Sequence, residues 1–252
     1  GDVGGQLCRF EMNNGADLDN LISGGVIADL GVSDGPNEAR NNRRFYHGPD
    51  VALVFEEGAT QLAVSIGSGY QASPLSFATN DRFYMILQED VFNIPTQYEK
   101  LTTADLYNAN DNDVGEGVDG AVELLESASG WYFDMPNAGE KVLSTPLTFK
   151  NTVTFTSYEP NPNSATSRCV PSAGITRVYQ VALNNAAPIN NWDDIEGLTE
   201  ADRGTELRSS SIIDEPVIVG TGAGCDMFVG AEKPPVNTPN TDRVIKTFWR
   251  KN

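Results

Sequence analysis

Apolar residues along this chain fall into short runs separated by glycine, proline and asparagine. DVALVFE (50–56) and QLAVSI (61–66) have the length and apolar content of strands, and the EGAT between them predicts a hairpin. The second run closes on Ile66-Gly67-Ser68-Gly69. DRFYMILQED (81–90) predicts another strand, rich in aromatic and branched residues. KVLSTPLTFK, NTVTFTSYEP, TRVYQVALNN, EPVIVGTGAG and the closing RVIKTFWRKN predict five more. The opening GDVGGQLCRFEMNN already reads as a strand, with Val3, Leu7, Phe10 and Met12 apolar. We therefore expect the chain to be a piece of a longer polypeptide.

Two segments depart from this pattern. Residues 101–110 (LTTADLYNAN) and 117–127 (GVDGAVELLES) have helical spacing, with Thr103 and Asp119 as candidate caps. They flank the polar stretch NANDNDVGEG. Residues 184–208 form a second polar and acidic insertion. Insertions of this kind belong on loops at the rim of a rigid scaffold, where binding functions concentrate.

Some of the strands resemble one another. VSIGSG (64–69) is echoed by IVGTG (218–222), and CRFEM, DRFYM and TRVYQ each follow an arginine with alternating large residues. Loose self-similarity at intervals of several tens of residues is what the blades of a propeller produce. The fold class is therefore all-β, and the repeat favours a β-propeller with a few short helices in its loops.

Composition narrows the function. A chain of 252 residues buries about three quarters of the surface that its unfolded form exposes, enough for one large core. The net charge of −18 repels phosphate backbones and anionic lipid, which argues against nucleic acid as a partner. No apolar run approaches the roughly 20 residues that a membrane-spanning helix needs. Of three cysteines, Cys8 reads as a small buried hydrophobe. Cys169 and Cys225 sit in loop-like sequence; they either remain separate thiols or form a disulfide in an oxidising compartment.

Catalytic patterns fail one by one. The single histidine, His47, follows an aromatic pair at a strand entrance, where packing is the simpler role. There is no G-x-S-x-G elbow and no phosphate-binding glycine loop with Walker spacing. Adjacent carboxylates such as Glu56-Glu57, Asp193-Asp194 and Asp214-Glu215 arise by chance in so acidic a chain. Calcium is the stronger metal candidate, because Asp111, Asp113 and Asp119 place oxygen ligands at loop spacing. Gly115 stands where a third ligand belongs, however, and Glu116 where the sharp-turn glycine belongs. Asp17-Leu18-Asp19-Asn20 is similarly incomplete, and an ordinary acidic loop is the competing reading of both.

Several stretches together resemble the PilY family of type IV pilus biogenesis and tip-associated proteins. GDVGGQLCRFEM is similar to that family's "GDL-x-GN-x-W-R-F-D-L" strand. RRFYHGPDVALV, LAVSIGSGYQASPL and DRFYMILQED follow in the family's order. GWYFDMPNAGEKVLSTPLTFKNTVTFTSYEPN, with Gly139 to Tyr158 at its centre, is the longest and most specific match. Cys169 and TRVYQVALNN then match the "C…G…LYxLD" that comes next. Cys8 in place of Trp, Gly5-Gln6 in place of Gly-Asn, and Gln71 in place of Arg are departures that alter packing and turn detail.

The resemblance implies that residues 1–252 are the C-terminal part of a propeller domain, about four blades of antiparallel four-stranded sheets. It implies a non-enzymatic protein, extracellular or at the pilus tip, that mediates pilus assembly and surface adhesion. Minor pilins, pilus tip proteins and host or abiotic surfaces are the implied partners, and further blades or a second copy would cover the open sheet edges. The family's main calcium loop is expected upstream of Gly1. The alternatives are a propeller-scaffold enzyme and a carbohydrate-binding propeller unrelated to pili. A quinoprotein needs tryptophan docking motifs in every blade and a vicinal cysteine pair, and Trp131, Trp192 and Trp249 are too few.

Overall fold

The computed structural model describes residues 1–234, apart from 16, 18–20, 32–37, 57–58, 90, 92–97, 163–172, 214 and 222–223. Asp19, Cys169 and the RVIKTFWRKN strand lie outside the described residues, and with Cys169 so does the Cys169–Cys225 pairing.

Among the described residues four sheets follow one another along the chain, antiparallel throughout except that β6 pairs with β7 in parallel. β1 (Gln6–Met12) and β2 (Ile22–Asp29) form the first. A one-turn helix, α1 (Glu38–Asn41), leads to the second, which comprises β3 (Asp50–Glu56), β4 (Ala59–Gly67), β5 (Arg82–Gln88), β6 (Tyr107–Asn108) and β7 (Gly130–Asp134) in the order β3-β4-β5-β7-β6. The third holds β8 (Lys141–Val142), β9 (Leu147–Phe149), β10 (Thr152–Glu159), β11 (Ile175–Ala182) and β12 (Gly204–Glu206), ordered β12-β11-β10-β8 with β9 also on β10. β13 (Pro216–Thr221) and β14 (Gly224–Val229) make the fourth. Among the described residues the central sheets therefore carry five strands and the outer ones two. KVLSTPLTFK divides into β8 and β9 where the sequence suggests one strand.

The sheets stack face to face, as successive propeller blades do. β5 shows why its sequence is almost continuously apolar. Tyr84 and Ile86 face the first sheet, packing with Leu7, Ile27, Ala28, Leu30, Val64 and Ile66. Phe83 and Met85 face the third, joining Trp131, Phe133, Val153, Phe155 and Val181. A strand buried on both faces has no polar side to alternate with. β10 alternates instead. Val153 and Phe155 point to the second sheet, while the Thr156 hydroxyl on the opposite face donates to the Ile213 carbonyl at 2.7 Å. Val178, Ile213, Met227 and Val229 close the interface with the fourth sheet.

Aromatic rings bind the two central sheets. Phe83 stacks on Phe155 with centroids 3.9 Å apart, and Phe155 stacks on Tyr179 at 5.0 Å. Trp131 Nε1 crosses to the Leu183 carbonyl at 2.8 Å.

The GEKVLS segment forms the seam between these sheets. The Val142 amide donates to the Ser68 carbonyl at 3.0 Å while β8 pairs with β10. A Cβ on Gly67 would lie 2.3 Å from the Val142 side chain, and one on Gly69 would lie 2.5 Å from the Val142 carbonyl. The IGSG signature thus exists to let β8 approach. Both charges of the segment are buried, and both are satisfied. Glu140 accepts from the Ser157 hydroxyl, from Tyr179 at 2.8 Å and from Asn137 Nδ2 at 2.7 Å. Lys141 Nζ donates to the carbonyls of Ser76 and Gly139. Burial lowers the pKa of Lys141, against the nearby Asp81 charge. Burial raises that of Asp81 to about 6, although the Ser68 hydroxyl donates to Oδ1 at 2.7 Å.

Several sequence expectations are corrected. Residues 101–110 are not a helix; Thr103–Asp105 is a single 3-10 turn, and the chain then extends so that Tyr107 and Asn108 pair with β7. The cap of that turn is Thr102, not Thr103. The second helical segment shortens to α3 (Ala121–Glu126), preceded by α2 (Asp113–Glu116). Gly120, with φ of 82°, takes the N-cap position of α3, so Asp119 does not cap it. Cys8 is exposed rather than buried, because Leu7 points into the core and its neighbour on an extended strand must point away.

Two outcomes follow. Phe155→Ala is expected to cost about 3–5 kcal/mol in urea unfolding, whereas Phe10→Ala, at an exposed position, changes stability by less than about 0.5 kcal/mol. Asp81 has a folded pKa above its unfolded value, so its ionised form opposes folding; the cost is absent below about pH 4, grows up to about pH 6 and stays constant above. That cost is about 3 kcal/mol at pH 7. Asp81→Asn should therefore flatten stability between pH 4 and 6 and raise it by about 1–3 kcal/mol at pH 7, read from unfolding curves across that range.

Candidate functional site

The two insertions meet on one side of the stack, and Arg203 joins them. Its guanidinium is buried, sits 4.9 Å from the Phe133 ring centroid and donates to three backbone carbonyls. Nε reaches Ala186 at 3.0 Å, Nη1 reaches Asn110 at 3.0 Å and Nη2 reaches Asp111 at 3.3 Å. Desolvation lowers its pKa to about 10, which leaves it charged at neutral pH. Asn112 adds a second tie, donating from Nδ2 to the Leu198 carbonyl at 3.0 Å. Asn110 clasps the end of β7: its Oδ1 accepts from the Asp134 amide and its Nδ2 donates to Asp134 Oδ2.

The same five-residue pattern shapes both insertions. Leu101-Thr102-x-Ala104-Asp105 and Leu198-Thr199-x-Ala201-Asp202 each make a 3-10 turn closed by a Thr/Asp capping box. Each turn launches a short strand at the edge of a central sheet, β6 in one case and β12 in the other. Asp202 is buried, and desolvation works to raise its pKa. Amide donors from Thr199, Trp192 and Asp193 outweigh that and hold it below the usual carboxylate range. The sequence reading missed Arg203, Asn112 and this L-T-x-A-D repeat. A search for short internal repeats would have found the last.

An open cleft of about 680 Å³ lies against the first insertion. Its walls include Asp105, Tyr107, Asp111, Asp113, Asp119 and Leu124, and none of its lining residues is His, Lys, Arg or Cys. The three calcium candidates, Asp111, Asp113 and Asp119, thus share one concavity. Desolvation raises the Tyr107 pKa, and the charges of Asp113 and Asp111 raise it further. Among the described residues, however, no three His, Cys, Asp or Glu side chains converge as a metal site. Asn112, between two of the candidates, spends its amide on Leu198.

Around the cleft, residues 101–128 hold seven Asp or Glu and no Lys or Arg. Val118, Leu124, Ile195 and Leu198 stand exposed among these acids and those of the second insertion. Among the described residues, no helix is long and apolar enough to cross a membrane.

No protein-family model matches the chain, and no curated protein matches it. Among solved structures, the crystal structure of the Pseudomonas aeruginosa PilY1 C-terminal domain superposes with a TM-score of 0.60 at 13% sequence identity. The chain folds like the PilY1 C-terminal domain. The match covers 91% of this chain and 55% of the PilY1 domain, so the chain spans about half the length of that structure. At this identity the similarity speaks for the fold. An all-β fold of successive sheets like that of the PilY1 domain is what the motif resemblance to PilY proteins led us to expect.

Arg203→Ala should free the loop that carries the acidic candidates. Loss of the donor to three carbonyls is expected to cost about 2–4 kcal/mol. Amide exchange should accelerate at residues 110–113 and near 198, while Phe83 to Ile86 in β5 keep their protection. Arg203→Lys should restore only part of this, since an ammonium cannot span the same fork.

Proposed function

We propose that this protein is a non-enzymatic component of a type IV pilus system, acting outside the cell in pilus assembly and surface adhesion. Its stacked sheets form the rigid support, and the joined insertions form the contact platform. The clamp of both insertions by Arg203 supports this reading most directly: two long loops from successive sheets are fixed together and present acidic and apolar side chains side by side. A platform of this kind suits binding to a protein or a surface, and it needs no proton relay or nucleophile. The likeness of the fold to a PilY1 domain supports the pilus connection. Minor pilins and other tip proteins are the proposed partners during assembly, and host or abiotic surfaces are the proposed targets of adhesion.

The test is genetic and direct. Deleting the gene in its native host should reduce surface piliation or attachment, and re-expression should restore it. A platform variant, Leu124→Ser with Ile195→Ser, should leave the protein folded and secreted yet lower attachment severalfold. Unchanged piliation and unchanged attachment in the deletion strain would rule the reading out.

A further inference from the structure

Among the described residues the first sheet covers the second incompletely, and the strip it leaves has the width of one strand. The backbone at Gly1 lies against Ile66 of β4 and against Phe45. On the far side, β2 is bridged in parallel by Leu101, whose amide donates to Ile27 and whose carbonyl accepts from Asp29. That segment runs on into β6, at the edge of the second sheet opposite β3. The first sheet thus extends from β4 towards β6 and stops short of β3. Val51, Leu53 and Phe55 pair across from Val64, Leu62 and Thr60, so they share the face on which Val64 packs. They are 52%, 55% and 76% exposed, on a face that is dry core two strands away.

Beside this strip runs a strand edge whose backbone groups face no other strand among the described residues. Among the described residues β1 pairs only with β2, and β3 only with β4. The Asn13 amide donates to the Leu21 carbonyl at 2.8 Å, which fixes the phase of the β1–β2 ladder. Alternation then directs the backbone groups of Arg9 and Glu11 at β2 and those of Cys8, Phe10 and Met12 at the free edge. A strand added there would lie about 4.8 Å from β1 and about 10 Å above β3, the spacings of a sheet neighbour and of a packed sheet. It would continue the apolar interface between the first two sheets.

We infer that this edge accepts a single extended strand donated by a partner protein, with apolar residues at alternate positions and Lys or Arg between them. The width of the strip admits one strand. The alternate apolar positions answer Val51, Leu53 and Phe55, and the basic ones answer a body of net charge −18. The inference does not depend on the pilus assignment.

The probe is a synthetic nine-residue peptide alternating valine with lysine and threonine, with a proline-centred version as control. Binding should slow amide exchange at Cys8, Phe10 and Met12 at least tenfold and leave Arg9 and Glu11 as they were. Phe10→Pro removes an edge donor without touching the β1–β2 ladder, and Leu53→Lys charges the strip; each should weaken binding at least tenfold. Val217→Lys, on the exposed face of the fourth sheet, should leave binding unchanged. Thermal unfolding of each variant confirms that it is folded, and Leu53→Lys serves if Phe10→Pro does not fold. The proposal is overturned if the peptide fails to bind or binds both strip variants as tightly as the parent. It is equally overturned if the Cys8, Phe10 and Met12 amides are already as protected as Arg9 and Glu11 without peptide, which would mean that the chain covers the strip itself. Concentration-dependent self-association that masks these amides would assign the edge to a second copy instead.

Discussion

The spacing of the two central sheets depends on one close contact, the seating of Val142 against a backbone without side chains at Gly67 and Gly69. That contact brings β8 close enough for its amide to reach Ser68 while its other side pairs with β10. The aromatic layer from Trp131 through Phe83 and Phe155 to Tyr179 then packs at ring-stacking distances. A bulkier residue at either glycine would wedge the sheets apart and forfeit dispersion contacts across the whole layer.

The same contact requires burial of Glu140 and Lys141, which directly precede Val142 on the chain. Each is surrounded by hydrogen-bond partners from other elements: Ser157, Tyr179 and Asn137 for the carboxylate, and the Ser76 and Gly139 carbonyls for the ammonium. A buried charge is tolerable only with such complete satisfaction, and removing a partner costs far more than the pair contributes. These bonds therefore act as a registry device, because a shifted β8 would strand two charges inside the protein. Rigidity at the seam in turn gives the insertions a fixed base. Arg203 reaches the first insertion from the turn before β12, so both loops inherit the geometry of the sheets that carry them.

The all-β character, the hairpin of β3 and β4, and the strands around Tyr84, Phe155 and Tyr179 were readable as sequence. Local pattern and turn chemistry decide them, and GEKVLSTPLTFKNTVTFTSY was long enough to suggest a fold by resemblance. The failures share a cause. Residues 101–110 have helical spacing, yet Tyr107 and Asn108 gain more by pairing with Trp131 and Tyr132 than by continuing a turn. Cys8 looked buried by type, but its exposure is set by the phase of β1, and only the position of Leu7 in the core fixes that. The ties that hold the loop of Asp111 and Asp113 escaped notice for the same reason: Asn112 and Arg203 join it to partners some ninety residues away.

By itself, then, the sequence determined the all-β class and where most of the strands would form. Those properties arise from neighbours along the chain, through side-chain alternation, turn preference and composition. Tertiary structure decided how the sheets stack, which charges are buried and which loops are joined. Among the described residues it also left one strip of β3 exposed beside an edge of β1 that no strand pairs. These depend on contacts between residues far apart in sequence, and no local pattern carries their geometry.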